Sequence, residues 1–345
     1  MAQAANCTMP YVRLGKSGLK VSRLILGCMS YGSPVWQGWV LGEEEGIKHI
    51  KAAYDLGIQT FDTANVYSNG LSEVVLGKAI KQHNLPRDEI VVMTKLFGLV
   101  SRQMDQSLFG PEGDTLGYIN QHGLSRKHIF ESVKHSLDRL QLDYIDVLQC
   151  HRFDPDTPIE ETMQALHDVV KAGYVRYIGM SSCYAWQFHV MQNYAINNNL
   201  TPFISMQNHY NLLYREEERE MMPTLEHFGV GSIPWSPLAR GQLTRPFGEN
   251  TLRTGTDVWA SIYGTGAAQK AVIDRVEELA KKKGVSMAQL SLAWMLHKDV
   301  VSAPIIGTTS IAKLHDLIGA LDVKLSEEEI KYLDEAYQAR SVLGH

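Results

Sequence analysis

From residue 23 onward, short apolar runs and longer amphipathic stretches take turns along the chain. "RLILGCM" (23–29) precedes "EEEGIKHIKAAYDLG" (43–57), in which Ile47, Ile50, Ala53, Tyr54 and Leu56 recur at helical spacing and Gly57 ends the run. "QTFDTA" is followed by the helical "SEVVLGKAIKQH", for which Ser72 suits the N-cap. "EIVVMTKL" leads into an irregular segment (98–124) and then the helical "SRKHIFESVKHSLDRLQ". Three more pairs follow: "YIDVLQCH" with "PIEETMQALHDVVKAG", "VRYIGMSS" with "YAWQFHVMQNYAINN", and "FISMQNH" with a helix over 215–229. "GSIPWSPL" opens a second irregular segment (239–266) that ends in helices over 267–284 and 286–298. The last pair is "VVSAPIIG" with "SIAKLHDLIGAL", and a charged helix over 326–340 closes the chain.

Strand-then-helix alternation demands a mainly parallel sheet, because each helix is the crossover to the next strand. Eight such units in one chain predict a closed (β/α)₈ barrel, and the β-branched strands suit burial on both faces. "YVRLGKSGLKVSRL" reads as an N-terminal hairpin turning at Gly15–Gly18. No linker or composition break divides the chain, so residues 1–345 are expected to form one domain.

Three of the apolar runs end by delivering an ionisable group, and in this fold active sites gather at the C-terminal ends of the strands. Asp62, Tyr67, Lys95 and His151 lie at or just beyond the ends of strands two, three and four and therefore converge on one mouth. Strand alternation turns Cys150 away from His151, into the core.

Composition changes this picture little. Of 345 residues, 33 are basic and 38 acidic, for a net charge of -5 without a basic stripe, which argues against nucleic acid and anionic membrane as partners. Cys7, Cys28, Cys150 and Cys183 show no zinc or disulfide spacing. The N-terminal residues have no apolar signal core and no run is long enough to span a bilayer, so a cytoplasmic location is expected. No metal-ligand pair and no Rossmann glycine pattern occurs, and the number of subunits is left open.

The four mouth residues make a proton-donating site. A phenol titrates near ~10, a neighbouring ammonium favours its phenolate, and a lysine in such a place needs an anion such as Asp62 to stay charged. An imidazole beside them can orient a carbonyl oxygen. A nucleophilic triad is not indicated, since no G-x-S-x-G elbow is present.

"FDTANVY", "VVMTK" and "YIDVLQCHR" resemble the signature blocks of the aldo-keto reductases, and the likeness runs from the hairpin to the last helix. Within that family the chain looks most similar to the fungal branch of aryl-alcohol dehydrogenases and versiconal hemiacetal acetate reductases. The resemblance implies reversible NADPH-dependent reduction of an aldehyde or ketone, with Tyr67 as general acid, Lys95 and Asp62 as its tuning pair, and His151 orienting the carbonyl. It also implies a nicotinamide site at Ser181, Ser182 and Gln207, with Trp235 against the ring unless Trp235 is a core residue. "WSPLARGQLTRP" resembles the pyrophosphate segment, through Ser236, Leu238 and Arg240. "IIGTTSIAKL" resembles the adenosine-phosphate segment, through Gly307, Thr308, Thr309, Ser310, Lys313 and Asp316. The chain departs from the pattern at Ser182 and Leu317, where Asn is frequent, and at Thr309 and Ser310, where Arg is frequent.

The small-molecule carbonyl substrate is expected to meet segments 30–40, 98–124 and 239–266. Tyr31, Trp36 and Phe97 are candidates for an aromatic pocket suited to an aryl or polyketide-like carbonyl, with packing of loops on the barrel as the plainer reading of each. The potassium-channel β subunits are a more distant cousin of the same fold, so a redox-sensing module that binds the cofactor is the alternative function.

Overall fold

The computed structural model describes residues 9–108, 112–249, 251, 255–257 and 260–344. Strands β1 (Tyr11–Arg13) and β2 (Lys20–Ser22) form an antiparallel hairpin. Eight parallel strands then follow: β3 (Ile25–Gly27), β4 (Thr60–Asp62), β5 (Val91–Leu96), β6 (Ile145–Cys150), β7 (Val175–Ser181), β8 (Phe203–Gln207), β9 (Gly231–Ser232) and β10 (Ile305–Ile306). They pair in the order β10-β3-β4-β5-β6-β7-β8-β9. Ser302 N–H donates to the Ser232 carbonyl at 2.8 Å and Ile305 N–H to the Pro234 carbonyl at 2.9 Å, which joins the two ends of the sheet. This is the expected (β/α)₈ architecture with its N-terminal hairpin.

Parity along each strand sorts the side chains. On β5, Val91 and Met93 face the barrel interior with Val147 of β6, whereas Val92 and Leu96 face the jacket of helices with Leu148 and Cys150. Lys95 shares the parity of Met93 and so points inward, next to its register partner Gln149. The hairpin closes the opposite end of the barrel, where Leu14 and Val21 join the interior cluster. Its turn depends on Gly15, whose φ is +57° and where a Cβ would lie 2.5 Å from the Gly229 carbonyl oxygen.

The jacket helices are α1 (Glu43–Asp55), α2 (Leu71–Gln82), α4 (Arg126–Leu140), α5 (Ile159–Lys171), α6 (Ala185–Asn197), α7 (Met221–Phe228), α9 (Met287–Leu296) and α10 (Ile311–Ile318). Outside this repeat stand the short α3 (Glu112–Thr115), α8 (Ala267–Lys283) and α11 (Glu327–Asp334). The irregular segments after β5 and β9 lie where the pattern put them, although residues 109–111, 250, 252–254 and 258–259 are outside the described residues.

Three expectations are corrected. Ser72 is not a cap: α2 starts at Leu71 behind Gly70, and the buried Ser72 hydroxyl donates to the Cys28 carbonyl at 2.8 Å. The helix expected over 215–229 is split into a 3-10 turn at Glu216–Glu218 and α7. Pro223 explains the break, because a helix through it would clash with the carbonyl four residues earlier, whereas the first turn of α7 needs no N–H there. The last helix stops at Asp334 rather than continuing to 340. Beyond it Tyr337 accepts the Arg215 N–H at 3.0 Å, and Arg340 N–H donates to Glu216 at 3.0 Å.

Candidate active site

Asp62, Tyr67 and Lys95 meet at the C-terminal end of the barrel. Lys95 Nζ donates to Asp62 Oδ2 at 2.6 Å, to the Thr63 carbonyl at 2.8 Å and to the Tyr67 hydroxyl at 3.2 Å. The side chains of Lys95 and Asp62 are 0% and 3% exposed, so water contributes almost nothing to holding their charges. Burial works against the Lys95 ammonium, and the attraction of Asp62, then of Tyr67, outweighs it, leaving its pKa above the ordinary lysine value. The other Asp62 oxygen accepts from Gln149 at 2.9 Å and from Gln207 at 2.8 Å. Asp62 is therefore fixed from three strands at once and cannot swing away from Lys95.

His151 follows β6 and sets its ring edge-on to Tyr67, 5.8 Å between centroids. Burial, then the Lys95 and Arg152 charges, push its pKa well below the usual histidine value, so the imidazole is neutral at neutral pH. Cys150 is buried on the helix side, where burial raises its thiol to about 12 and keeps it protonated.

Around this centre, Trp235 is half-buried and lies flat on His209, 4.1 Å between centroids, with Tyr214 on the far face of the His209 ring. The indole N–H of Trp235 donates to Ser182 Oγ at 3.0 Å, and Gly344 of the C-terminal tail packs against the same indole. Ser181 Oγ donates to the Gln207 carbonyl at 2.7 Å, and both Gln207 amide hydrogens are used on Asp62 and Gln149.

Ser236, Leu238 and Arg240 lie beyond β9 in a turn where Ser236, Ala239 and Arg240 all have positive φ. Arg240 Nη1 contacts both oxygens of the buried Asp257, at 2.8 and 2.6 Å, while its Nε is buried without an acceptor among the described residues. Gly307 and Thr309 are exposed and Thr308 is buried. Ser310 caps α10 through the Lys313 N–H, and the Lys313 side chain is exposed. Asp316 is engaged elsewhere, accepting from Ser286 Oγ at 2.7 Å at the start of α9.

Of the pocket candidates, Trp36 comes to the mouth, 6.3 Å from the Tyr67 ring, and its indole nitrogen is buried without a partner among the described residues. Phe97 is half-buried directly beyond β5, with φ at 146°. Tyr31 departs from the expectation. It is fully buried in the helix-side core against His49, and its hydroxyl donates to the Thr308 carbonyl at 3.3 Å, because the chain turns inward at Cys28–Ser30 before reaching the mouth.

Gln149 was missed at the level of sequence. It sits two positions before His151, and extending the parity argument by one step along β6 would have placed its amide in the barrel beside Asp62. Among the described residues, no cluster of three His, Cys, Asp or Glu side chains could hold a metal ion, and no helix is long and apolar enough to cross a membrane.

Comparison with known proteins identifies the family. The pattern of the Aldo/keto reductase family matches residues 23–338. The versiconal hemiacetal acetate reductase of Aspergillus parasiticus is 51% identical, over 97% of this chain and 98% of its own length. A Schizosaccharomyces pombe protein provisionally named aryl-alcohol dehydrogenase is 52% identical over 95% of each chain. An aldo-keto reductase of Alternaria alternata is 48% identical over 97% of this chain and 93% of its own. With a match covering nearly its whole length and relatives at about half identity, the chain belongs to the aldo/keto reductase family of oxidoreductases.

Proposed function

We propose that this single-domain protein reduces an aldehyde or ketone, aromatic or polyketide-like, to the alcohol with NADPH. The family generally uses NAD(P)H, and a nicotinamide cofactor would supply the hydride to the carbonyl carbon. The residues present suit such a ligand. Trp235 offers a flat surface braced from behind by His209, and Ser181, Ser182 and Gln207 surround it with polar groups. Arg240 Nε is a buried donor still lacking an acceptor among the described residues, in keeping with a phosphate oxygen. Gly307, Thr308, Thr309, Ser310 and Lys313 add hydroxyls, amides and a cation at a helix N-terminus, which favours NADPH over NADH. Leu238 belongs to the pyrophosphate segment, and Asp316 supports the adenosine-phosphate segment through its bond to Ser286 rather than by facing the cofactor.

The observation that carries this reading is the Tyr67 hydroxyl at 3.2 Å from a lysine that Asp62 keeps charged. The phenol gives its proton to the carbonyl oxygen as that oxygen gains charge, and the adjacent ammonium stabilises the phenolate left behind. Neutral His151 holds the oxygen with its one N–H. Trp36 and Phe97 give the pocket aromatic walls, and the names of the relatives, for a hemiacetal acetate and for aryl alcohols, agree with a substrate of that kind. The scattered thiols, without disulfide spacing, suit a reducing compartment such as the cytoplasm.

Steady consumption of NADPH with 4-nitrobenzaldehyde tests the proposal. Tight retention of cofactor without turnover across a carbonyl panel would overturn it in favour of a redox sensor.

A further inference from the structure

Directly after the phenol, the backbone adopts a conformation that L-residues avoid. Ser68 (φ 48°, ψ 39°), Asn69 (φ 48°, ψ 47°) and Gly70 (φ 94°) are three consecutive residues at positive φ. There a Cβ crowds the following carbonyl oxygen, and among non-glycine residues Asn is one of the few that tolerate it. Strain of this kind persists only where the surroundings over-determine it, and it collects at functional sites. Here the surroundings are two mouth loops.

Ser68 Oγ, fully buried, accepts the Ser33 N–H at 3.1 Å. The approach is so close that a Cβ at Gly32 would lie 2.3 Å from that oxygen. Asn69 serves the other loop. Its Oδ1 accepts the Ser101 N–H at 3.0 Å, and its Nδ2 faces the carbonyls of Gln106 at 2.8 Å, Gln103 at 3.0 Å and Met104 at 3.4 Å. One amide side chain thus ties together four backbone groups of a segment that has no regular secondary structure. Only a carboxamide of this length offers an acceptor and a two-hydrogen donor in that fork.

We infer that Asn69 is a positioning residue that fastens segment 101–106, part of the substrate side of the mouth, to the turn carrying Tyr67. The phenol and the pocket wall then move as one unit, and the fit of a bulky substrate is registered where the proton is delivered. This rests on the reading of Tyr67 as the proton donor. The segment has a second anchor, since Arg102 N–H donates to the Tyr118 hydroxyl at 3.0 Å and Ser101 Oγ lies 3.3 Å from it. Losing Asn69 should therefore loosen the segment without unfolding it.

Two substitutions separate tether from strain. Asn69→Gly removes the carboxamide but keeps the left-handed backbone accessible. Asn69→Asp keeps the shape and the acceptor for Ser101, but turns an oxygen toward three carbonyls. Hydrogen exchange on the cofactor-free protein reads the tether directly. Amides of 101–106 should exchange roughly tenfold faster or more in both variants, the size expected when one or two hydrogen bonds are lost, while the barrel strands are unchanged. Unaltered exchange in that segment overturns the inference, whatever the protein catalyses.

Kinetics reads the coupling. With 9-anthraldehyde, KM should rise roughly tenfold in both variants, whereas kcat with 4-nitrobenzaldehyde stays within about threefold of the parent. Faster exchange combined with an unchanged ratio of kcat/KM for the two aldehydes refutes a role in substrate fit. If the parent protein turns over neither aldehyde, the proposed function fails and the exchange result still decides the tether.

Discussion

Replacing Tyr67 with Phe removes one hydroxyl from the centre and separates catalytic from structural importance. The hydroxyl receives one hydrogen bond, from Lys95, and Lys95 keeps Asp62 and the Thr63 carbonyl after its loss. The ring contacts with Trp36 and His151 also remain. No buried charge is left unpaired, so the stability loss should be about 1–2 kcal/mol, the range for one charge-assisted bond of moderate length. At about 2.1 cal/mol/K per residue, a chain of 345 residues unfolds with roughly 0.7 kcal/mol/K, and the melting midpoint should fall by only ~1–3 °C. Loss of a general acid, by contrast, lowers kcat by roughly 10²–10⁴, equivalent to about 3–5 kcal/mol of barrier. Calorimetry or dye-monitored melting gives the first quantity, NADPH consumption the second, and fluorescence titration of NADPH shows whether the cofactor site is intact. If Tyr67→Phe keeps a third or more of kcat, the proton comes from elsewhere. If activity falls together with a midpoint drop beyond about 8 °C, Tyr67 is structural and the proposed chemistry is wrong.

Lys313 is exposed at the first turn of α10, so Lys313→Ala should weaken NADPH by about tenfold, the low end for a charged hydrogen bond, and leave NADH unchanged; equal losses in calorimetric titration would remove it from the site. His151 is held neutral, its folded pKa below the unfolded one, so its contribution is complete above about pH 6.5 and is lost as pH falls. His151→Gln should therefore flatten the decline in urea-measured stability between about pH 6.5 and 5, and an unchanged slope would assign that decline to other groups. Burial raises buried Glu217 to about 8, with the nearby Asn208 amide opposing the rise, so folding favours its protonated form and loses stability as pH rises from the unfolded carboxylate range through 8. Glu217→Gln should gain stability over the parent at pH 9 and little at pH 5, and a gain independent of pH would contradict a titrating carboxyl.

The alternation of short apolar runs with amphipathic stretches was enough to specify eight strand–helix units. A period of two along a strand then put Asp62, Lys95 and His151 at the mouth and turned Cys150 into the helix-side core. Those inferences are local, since each depends on spacing over a few residues and on the rule that strands of a barrel share one direction. What the sequence could not supply were partners brought together by closure of the barrel. Gln207 reaches Asp62 across 145 positions with no trace in spacing, and Gln149, 87 positions away, could be turned into the barrel by parity but not given its partner. For the same reason Tyr31, read as a pocket residue, is buried behind Thr308, and Asp316 is engaged by Ser286. Arg240 likewise shares its charge with Asp257, and the last helix gives way to Tyr337 and Arg340 bonded across the fold. Periodicity decides which face a residue presents, because neighbours along the chain impose it. Which group meets that face is decided by tertiary packing, where a buried donor or acceptor must find a partner wherever the closed fold provides one.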